Sequence, residues 1–368
     1  MKKSFGTLPS GEETFLYTIS CGKLSAAVTD YGATLVSLLV PDRDGVLADV
    51  VLGYKHPEGY FFDGAASGKS VGRCANRIAF GQMTVERFGA CDLDRADAHA
   101  SRREHFAYAA HGAPALAEEQ IEGPRRGAGG DDDGLPPFET RLRNSARGFA
   151  HEDRHEPFEE LNVEAVFDFD DDNALEITYL ARTDKTTVVN LTNHVYFNLA
   201  GEGSGSVLDH ELRLNSSKVL EMNDKQIPTG RLLDAAGTPQ DFREFRPFRP
   251  GIDSEFNHIR DFKGYDHPFV IDGWQPNILG EVGTLREPRS GRSVTVLSSQ
   301  PSVMIYTGNW LAGGCPETKS GGRYNDYDGV AIECQNYPDA VNHPDFPSPL
   351  LRPGELYCQK IVFRFGTF

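Results

Sequence analysis

Short runs of β-branched and apolar residues, broken by Gly, Pro, Asn and Asp, recur along most of the chain. Several of these runs alternate between polar and apolar side chains, as the strands of a half-buried sheet do. Patterns with a helical period are scarce. The runs that we predict to be strands are 24–28, 34–40, 48–52, 162–169, 175–181, 186–190, 212–214, 294–298, 303–307, 329–334 and 357–365.

The number and shortness of these runs predict the fold class. Many short strands with turn residues between them favour an all-β protein built as a large antiparallel β-sandwich. The chain has 368 residues, which is long enough for two domains of ordinary size, but large all-β folds often exceed that size as one domain. Because we find neither an internal repeat nor a linker, we predict a single domain over residues 1–368.

One segment, residues 87–158, departs from the strand pattern. It contains no valine and one isoleucine, Ile121, whereas strands are rich in β-branched residues. It is rich instead in alanine, arginine, glycine and aspartate. This composition indicates a long irregular insertion or a disordered loop. Out-of-frame translation of GC-rich DNA between two compensating frameshifts gives the same composition, so both hypotheses stay open.

The net charge bears on the partners of the protein, and the cysteine content bears on its redox compartment. The net charge is -17, from 54 acidic and 37 basic residues, and a surface of that sign repels phosphate backbones and anionic lipids. We therefore expect no nucleic acid and no membrane partner, whereas a neutral sugar is compatible. The first residues lack the apolar run of a signal peptide. None of the six cysteines forms a Cys-x-x-Cys pair, which favours a reduced, cytoplasmic setting.

Two of four polar blocks combine charged and planar hydrogen-bonding groups. In Gly-Arg-Cys-Ala-Asn-Arg-Ile, Asn76 and Arg77 offer donors suited to hydroxyl groups. The alternative is a surface turn with a structural arginine. In Gly-Tyr-Asp-His-Pro-Phe, Asp266 and His267 are adjacent. Adjacent residues of a strand face opposite ways, so we expect one of them, rather than both together, to act in a site.

The other two blocks contain candidate proton-transfer groups. His194, Tyr196 and Asn198 would share one face of a strand, and such a polar, partly aromatic face suits a sugar. A hydrogen-bonded core histidine is the alternative. Glu333 follows an apolar run, where burial would raise its pKa towards the range of a general base. The alternative for Glu333 is a structural pair with an arginine.

Together, these blocks resemble the aldose 1-epimerase family, in the same order and at compatible spacings. The Asn-His-x-Tyr-Phe-Asn-Leu and Glu-x-Gln-x-x-Pro-Asp blocks are specific when they occur together. The resemblance covers roughly 1–86 and 160–368. It implies a twisted β-sandwich with a sugar site on the concave face of one sheet, a small-molecule aldose such as galactose or glucose as substrate, and a monomer or homodimer.

The resemblance also implies a role for each matching residue. Glu333 would take the proton of the anomeric hydroxyl, and His194 would give a proton to the ring oxygen. The C1–O5 bond would open, and reclosure after rotation about C1–C2 would give the other anomer. Only protons and one C–O bond move, so no metal and no cofactor is expected. The residues that we expect to bind the sugar are Asn76, Arg77, Asp266 and Tyr196.

Two positions depart from the family pattern. The family's second histidine lies in an Asn-x-Leu-His-Gly-Gly block, which is absent here, and its expected place near Arg102 falls inside residues 87–158. Met304 stands where many members carry a glutamine that contacts the sugar. Two alternatives therefore stay open: a catalytically impaired sugar-binding protein of this fold, and a hexose-6-phosphate 1-epimerase, which should carry extra basic residues for the phosphate.

Overall fold

Antiparallel strands make up most of the computed structural model, which describes residues 1–84, 90–92, 142–147, 161–170, 173–313 and 317–368. Its few helices are short: α1 (Pro57–Phe61), α2 (Arg249–Ile252), α3 (Asn257–Arg260) and three 3-10 turns at Tyr31–Ala33, Ala79–Gly81 and Ala340–Asn342. None of the helices in these ranges is long and apolar enough to cross a membrane. The predicted all-β class is confirmed, and each of the predicted runs overlaps a strand.

The strands of the described residues are numbered in chain order. They are β1 (Lys2–Thr7), β2 (Glu13–Cys21), β3 (Leu24–Thr29), β4 (Thr34–Pro41), β5 (Leu47–Asp49), β6 (Ser70–Val71), β7 (Gln82–Thr84), β8 (Ala90–Asp92), β9 (Leu142–Arg147), β10 (Leu161–Phe169), β11 (Ala174–Thr183), β12 (Thr187–Val188), β13 (Thr192–Asn193), β14 (Tyr196–Phe197), β15 (Glu211–Leu214), β16 (Lys218–Met222), β17 (Pro228–Asp234), β18 (Arg246–Pro247), β19 (Asp266–Val270), β20 (Gly280–Arg286), β21 (Arg292–Ser298), β22 (Ser302–Tyr306), β23 (Val330–Gln335), β24 (Leu350–Leu351) and β25 (Tyr357–Thr367).

These strands form three larger sheets. One sheet has the order β1-β2-β3-β4-β5, a second has the order β18-β15-β20-β21-β25-β11-β10-β9, and a third has the order β14-β23-β22-β19-β16-β17. Within the atypical segment 87–158, the structure describes β8 and β9, and the interpretation of the rest of that segment lies outside the described residues.

The main core lies between the eight-stranded and six-stranded sheets. Phe197 of the six-stranded sheet and Phe363 of the eight-stranded sheet meet edge to face, with ring centroids 5.0 Å apart. Both side chains are fully buried. Burying a phenylalanine stabilises the fold by roughly 1.5–3 kcal/mol, so this layer fixes one face of the six-stranded sheet firmly.

Strand β23 separates this core from the opposite face of the six-stranded sheet. Ile332 and Cys334 belong to the core, so Glu333 between them points to the other face. The antiparallel register sets Met304 of β22 directly opposite Glu333. Glu333 therefore lies inside strand β23, within the predicted run 329–334.

A second row of side chains crosses the same face of the sheet, two residues further along each strand. Tyr196 pairs with Ala331, Ala331 pairs with Tyr306, and Tyr306 pairs with Asp266. Cross-strand neighbours on one face have their Cβ atoms about 4.5–5.5 Å apart, so these side chains form one continuous surface. We call it the site face, and it comprises Tyr196, Tyr306, Asp266, Glu333 and Met304.

Candidate active site

Glu333 and His194 are in contact on the site face. His194 Nε2 lies 3.4 Å from Glu333 Oε1, and the side chains are only 11% and 9% exposed. One group comes from a regular strand, β23, and the other from the connection between β13 and β14. The structure thus brings together two side chains that are far apart in the sequence and that the sequence analysis predicted to transfer protons.

Burial shifts the pKa values of both groups and so determines how many protons the pair holds. Desolvation, with a further contribution from the Asp266 carboxylate, raises the pKa of Glu333 to about 8, while Arg77 opposes the rise. Desolvation lowers the pKa of His194 to about 4. Both shifts favour the neutral form of each group, so between these two values the pair holds one proton in total. Transfer of that proton from the carboxyl to the imidazole gives a carboxylate and an imidazolium without changing the net charge.

The backbone of His194 is held by the segment that leads into β6. The His194 N–H donates to Lys69 O at 2.8 Å, and the Gly68 N–H donates to His194 O at 2.9 Å. Gly68 has a φ of +69°, and a Cβ there would lie 2.1 Å from Leu35 O. Only glycine fits that position without displacing the backbone, so Gly68 is required where it stands.

A buried ion pair supports the same segment. The Lys69 ammonium lies 3.9 Å from Asp63 Oδ2, and it donates to Tyr60 O at 2.8 Å. The Asp63 carboxylate in turn accepts the Ser67 N–H at 2.6 Å. Such satisfied buried polar groups rigidify the backbone around them, which here is the backbone that docks His194.

Aromatic rings border the histidine. The His194 ring lies 5.0 Å from the Tyr196 ring and 6.5 Å from the Tyr306 ring, measured between centroids. Tyr306 also accepts the backbone N–H of Trp310 at its hydroxyl, at 3.2 Å. The two tyrosines supply an apolar wall with polar tips, which is a surface that suits the C–H and O–H groups of a sugar.

A polar cluster lies on the other side of Glu333. Arg77 Nη2 donates to Gln226 Oε1 at 2.5 Å, and Gln226 Nε2 donates to Asp266 Oδ2 at 2.7 Å. Arg77 Nη2 is 4.0 Å from the same Asp266 oxygen, with the two side chains 17% and 16% exposed. A cation, an amide and a carboxylate thus meet at the edge of the site face, where hydroxyl groups have both donors and acceptors to bind.

The turn that carries Arg77 is fixed by its own side chains and by Asp339. Asn76, at φ +67°, accepts the Arg77 N–H at its side-chain oxygen, at 2.9 Å. The Arg77 carbonyl accepts the Asp339 N–H at 2.9 Å, and Asp339 Oδ1 accepts the Ala79 N–H at 2.9 Å. The oxygen of Asn76 therefore shapes the turn, while Arg77 reaches the polar cluster.

Asp266 and His267 point in opposite directions, as expected for neighbours in a strand. His267 is buried, and its Nδ1 accepts the Asp266 N–H at 3.0 Å. Its ring packs against Phe262, with centroids 5.6 Å apart. Asp266 alone reaches the site face. Among the residues that the structure describes, no group of three or more His, Cys, Asp or Glu side chains is arranged to hold a metal ion.

The expected strand face of His194, Tyr196 and Asn198 is only partly present. β13 and β14 are separate two-residue strands, and His194 lies between them. The Asn198 amide donates to Gly205 O at 2.7 Å and to Asp328 O at 2.9 Å. Asn198 thus holds a loop, because the backbone turns away after β14 instead of continuing as a strand.

Gln226 was not singled out from the sequence, although it links two expected site residues. It lies in the connection between β16 and β17, outside the four polar blocks. The local sequence therefore gives no signal that points to it. Its partners are 149 and 40 residues away along the chain, so only the folded structure shows the link.

Known proteins of similar sequence match nearly the whole chain. The galactose mutarotase of Mus musculus is 35% identical over 368 residues, which cover 99% of this chain and 97% of that protein. The aldose 1-epimerase of Escherichia coli is 32% identical over 365 residues, which cover 97% of this chain and 96% of that protein.

A solved structure and a family model agree with these relatives. The crystal structure of a GalM/aldose epimerase homologue from C. elegans superposes with a TM-score of 0.76 at 26% identity, and covers 96% of this chain and 99% of that chain. The family model for aldose 1-epimerase matches residues 16–88 and 149–364, so residues 89–148 lie outside the matched ranges. The chain belongs to the aldose 1-epimerase family.

Proposed function

We propose that this protein is an aldose 1-epimerase that interconverts the α and β anomers of a free hexose, galactose or glucose, by ring opening and reclosure. The observation that carries the proposal is the contact between Glu333 and His194, 3.4 Å apart and largely buried. Ring opening needs a base at the anomeric hydroxyl and an acid at the ring oxygen of one sugar. A pair that shares one proton supplies both.

The proton count of the pair is the same before and after ring opening. In the productive complex, the Glu333 carboxylate takes the O1 proton while the His194 imidazolium gives its proton to O5. The C1–O5 electron pair leaves with O5, and C1–O1 becomes a carbonyl. The enzyme then holds a neutral carboxyl and a neutral imidazole, the forms that burial favours. Rotation about C1–C2 and the reverse proton transfers close the ring as the other anomer.

The polar cluster and the tyrosines supply binding. Arg77 and Asp266 offer a charged donor and a charged acceptor within 4.0 Å of each other, an arrangement suited to neighbouring hydroxyl groups of one sugar. We assign Asn76 to the same subsite because it shapes the Arg77 turn. Tyr196 packs beside His194 and is assigned to the apolar side of the ring. Relatives named galactose mutarotase, 35% and 34% identical to this chain, support galactose as a substrate.

Polarimetry of freshly dissolved α-D-galactose and α-D-glucose tests the proposal. We expect the protein to accelerate mutarotation well above the spontaneous rate, and Glu333→Gln to lose this acceleration while still binding the sugar in calorimetry. No acceleration by the wild-type protein, together with sugar binding, would support the impaired sugar-binding alternative. Acceleration seen only with galactose 6-phosphate or glucose 6-phosphate would support the phosphorylated-sugar alternative.

A further inference from the structure

Gln226 occupies an unusual place in the connection between β16 and β17. Its φ is +57°, a left-handed conformation that residues other than glycine rarely adopt. Its neighbours Asp224 and Lys225 are exposed, whereas Gln226 is only 6% exposed. Asn223 shapes the turn, because its side-chain oxygen accepts the N–H groups of Lys225 and Ile227. The turn thus directs one polar side chain inwards, and backbone strain of this kind concentrates at functional sites.

Both ends of the Gln226 amide are used, each by a charged group of the matching kind. Its Nε2 donates to Asp266 Oδ2 at 2.7 Å, and its Oε1 accepts from Arg77 Nη2 at 2.5 Å. A carboxylate in its place would repel Asp266, and an apolar side chain would leave both charged groups without this partner. Of the side chains of this length, an amide serves a carboxylate and a guanidinium at once at any pH, whereas a carboxyl does so only when it is protonated.

We propose that Gln226 is a positioning residue of the sugar site, which clamps Arg77 and Asp266 in the arrangement that binds substrate hydroxyls. This inference rests on the proposed epimerase function. The clamp uses one oxygen of Asp266 and one terminal nitrogen of Arg77. The other carboxylate oxygen and the remaining guanidinium N–H groups are assigned to the sugar.

The two residues that Gln226 clamps also affect the pKa of Glu333. Asp266 raises the pKa of Glu333, and Arg77 lowers it. Within the part of the chain that the structure describes, the titratable groups facing the Glu333 carboxyl are His194 from the β13–β14 connection, Asp266 from β19 and Arg77 from the turn before β7. Because Gln226 sets the positions of two of these charges, which act in opposite directions, its loss changes the pH dependence of the reaction as well as sugar binding.

Two substitutions of similar length separate positioning from simple packing. Gln226→Met removes both hydrogen bonds, and we expect KM to rise about tenfold, with a smaller fall in kcat and a displaced basic limb of the pH profile. Gln226→Glu keeps the shape. When protonated, the introduced carboxyl donates to Asp266 and accepts from Arg77, so KM stays near that of the wild type at low pH and rises as this carboxyl ionises against Asp266.

The matched control is Lys225→Ala, an exposed neighbour in the same turn, which should leave KM and the pH profile unchanged. Thermal unfolding checks that each variant folds, and if Gln226→Met does not, Gln226→Glu decides alone. An active wild type with unaltered KM and pH profile in the folded variants would overturn the clamp and leave the proposed function intact. An inactive wild type would overturn the proposed function, and the Kd for galactose of wild type and variants would then test the clamp by itself.

Discussion

The two side-chain pairs of the candidate site, Glu333–His194 and Arg77–Asp266, are controlled by different physical effects. The Glu333–His194 pair is nearly fully buried, and each pKa is shifted towards the neutral form. The Arg77–Asp266 pair is somewhat more exposed, and a glutamine amide bridges its two side chains, which lie 4.0 Å apart. Burial adjusts proton affinity in the first half, whereas hydrogen bonds fix orientation in the second.

This difference predicts a division of kinetic effects. Groups that move protons act in the transition state, so their removal lowers kcat. Groups that orient hydroxyls bind the sugar before and during ring opening, so their removal mainly raises KM. Single substitutions in each half of the site test this division.

Glu333→Gln should have the largest effect. The amide keeps the shape of the side chain but accepts no proton at neutral pH, so kcat should fall about 10³–10⁴-fold with KM within a few-fold of the wild type. Initial rates of mutarotation over a range of sugar concentrations measure both constants. A variant that keeps a tenth of the wild-type kcat would assign the base to another group.

His194→Gln should lower kcat about 10²–10³-fold, because it removes the proposed proton donor to the ring oxygen. The same rate measurement applies. His56→Gln serves as control, since His56 is exposed on the surface and its replacement should leave both constants unchanged. A rise in KM at constant kcat would place His194 among the binding groups instead.

Asp266→Asn should act mainly on KM, with a rise of about 10–100-fold. The neutral amide weakens the hydrogen bonds of a charged acceptor to hydroxyls and to Gln226. It also removes a carboxylate that raises the pKa of Glu333, so the basic limb of the pH profile should move to lower pH. An unchanged KM would remove Asp266 from the binding half.

The burial of Glu333 predicts that Glu333→Gln, which should lower kcat, should also stabilise the folded protein at high pH. The folded protein holds the Glu333 proton up to a pKa of about 8, whereas an unfolded glutamate loses its proton near pH 4.3. The stability that Glu333 contributes is therefore fully present below the pKa of the unfolded glutamate, near 4.3. It is lost as the pH rises through the pKa of folded Glu333. We expect Tm of Glu333→Gln to exceed that of the wild type at pH 8, with the difference vanishing near pH 4. Equal Tm values at pH 8 would mean that the carboxylate is well accommodated.

Tyr196→Phe should have the smallest effect. The ring that packs on His194 remains, and only the hydroxyl is lost, so KM should change by about threefold or less. Tyr196→Ala, which removes the ring, is the companion variant, with a larger rise in KM from lost apolar contact. If the two variants behave alike, the hydroxyl and not the ring makes the contact.

Much of the sandwich could be predicted because its strands alternate or are wholly apolar. β21 and β23 show these patterns, and both were predicted. β17 is largely exposed and β19 contains Pro268, so neither has the pattern of a regular strand, and both were missed. Their places depend on neighbouring strands, which supply the cross-strand contacts that the local sequence does not encode.

The site was predictable to the extent that single motifs carry it. Glu333, His194, Arg77 and Asp266 stand in recognisable blocks, and the structure gathers them on one face. Gln226 stands in none of those blocks, and its two hydrogen bonds join segments that only folding brings together. Hydrogen-bond networks of this kind depend on the geometry of turns between elements that are distant in the sequence. The alternation of polar and apolar residues does not predict this geometry.

The pH dependence of kcat/KM for mutarotation tests the shared proton most directly. With Glu333 and His194 holding one proton between pKa values of about 4 and about 8, the profile should have a plateau between these values and fall on both sides. Below the plateau the base is protonated, and above it the acid has lost its proton. A rate that keeps rising through pH 8 and beyond would contradict the account, because the pair would then work without that proton.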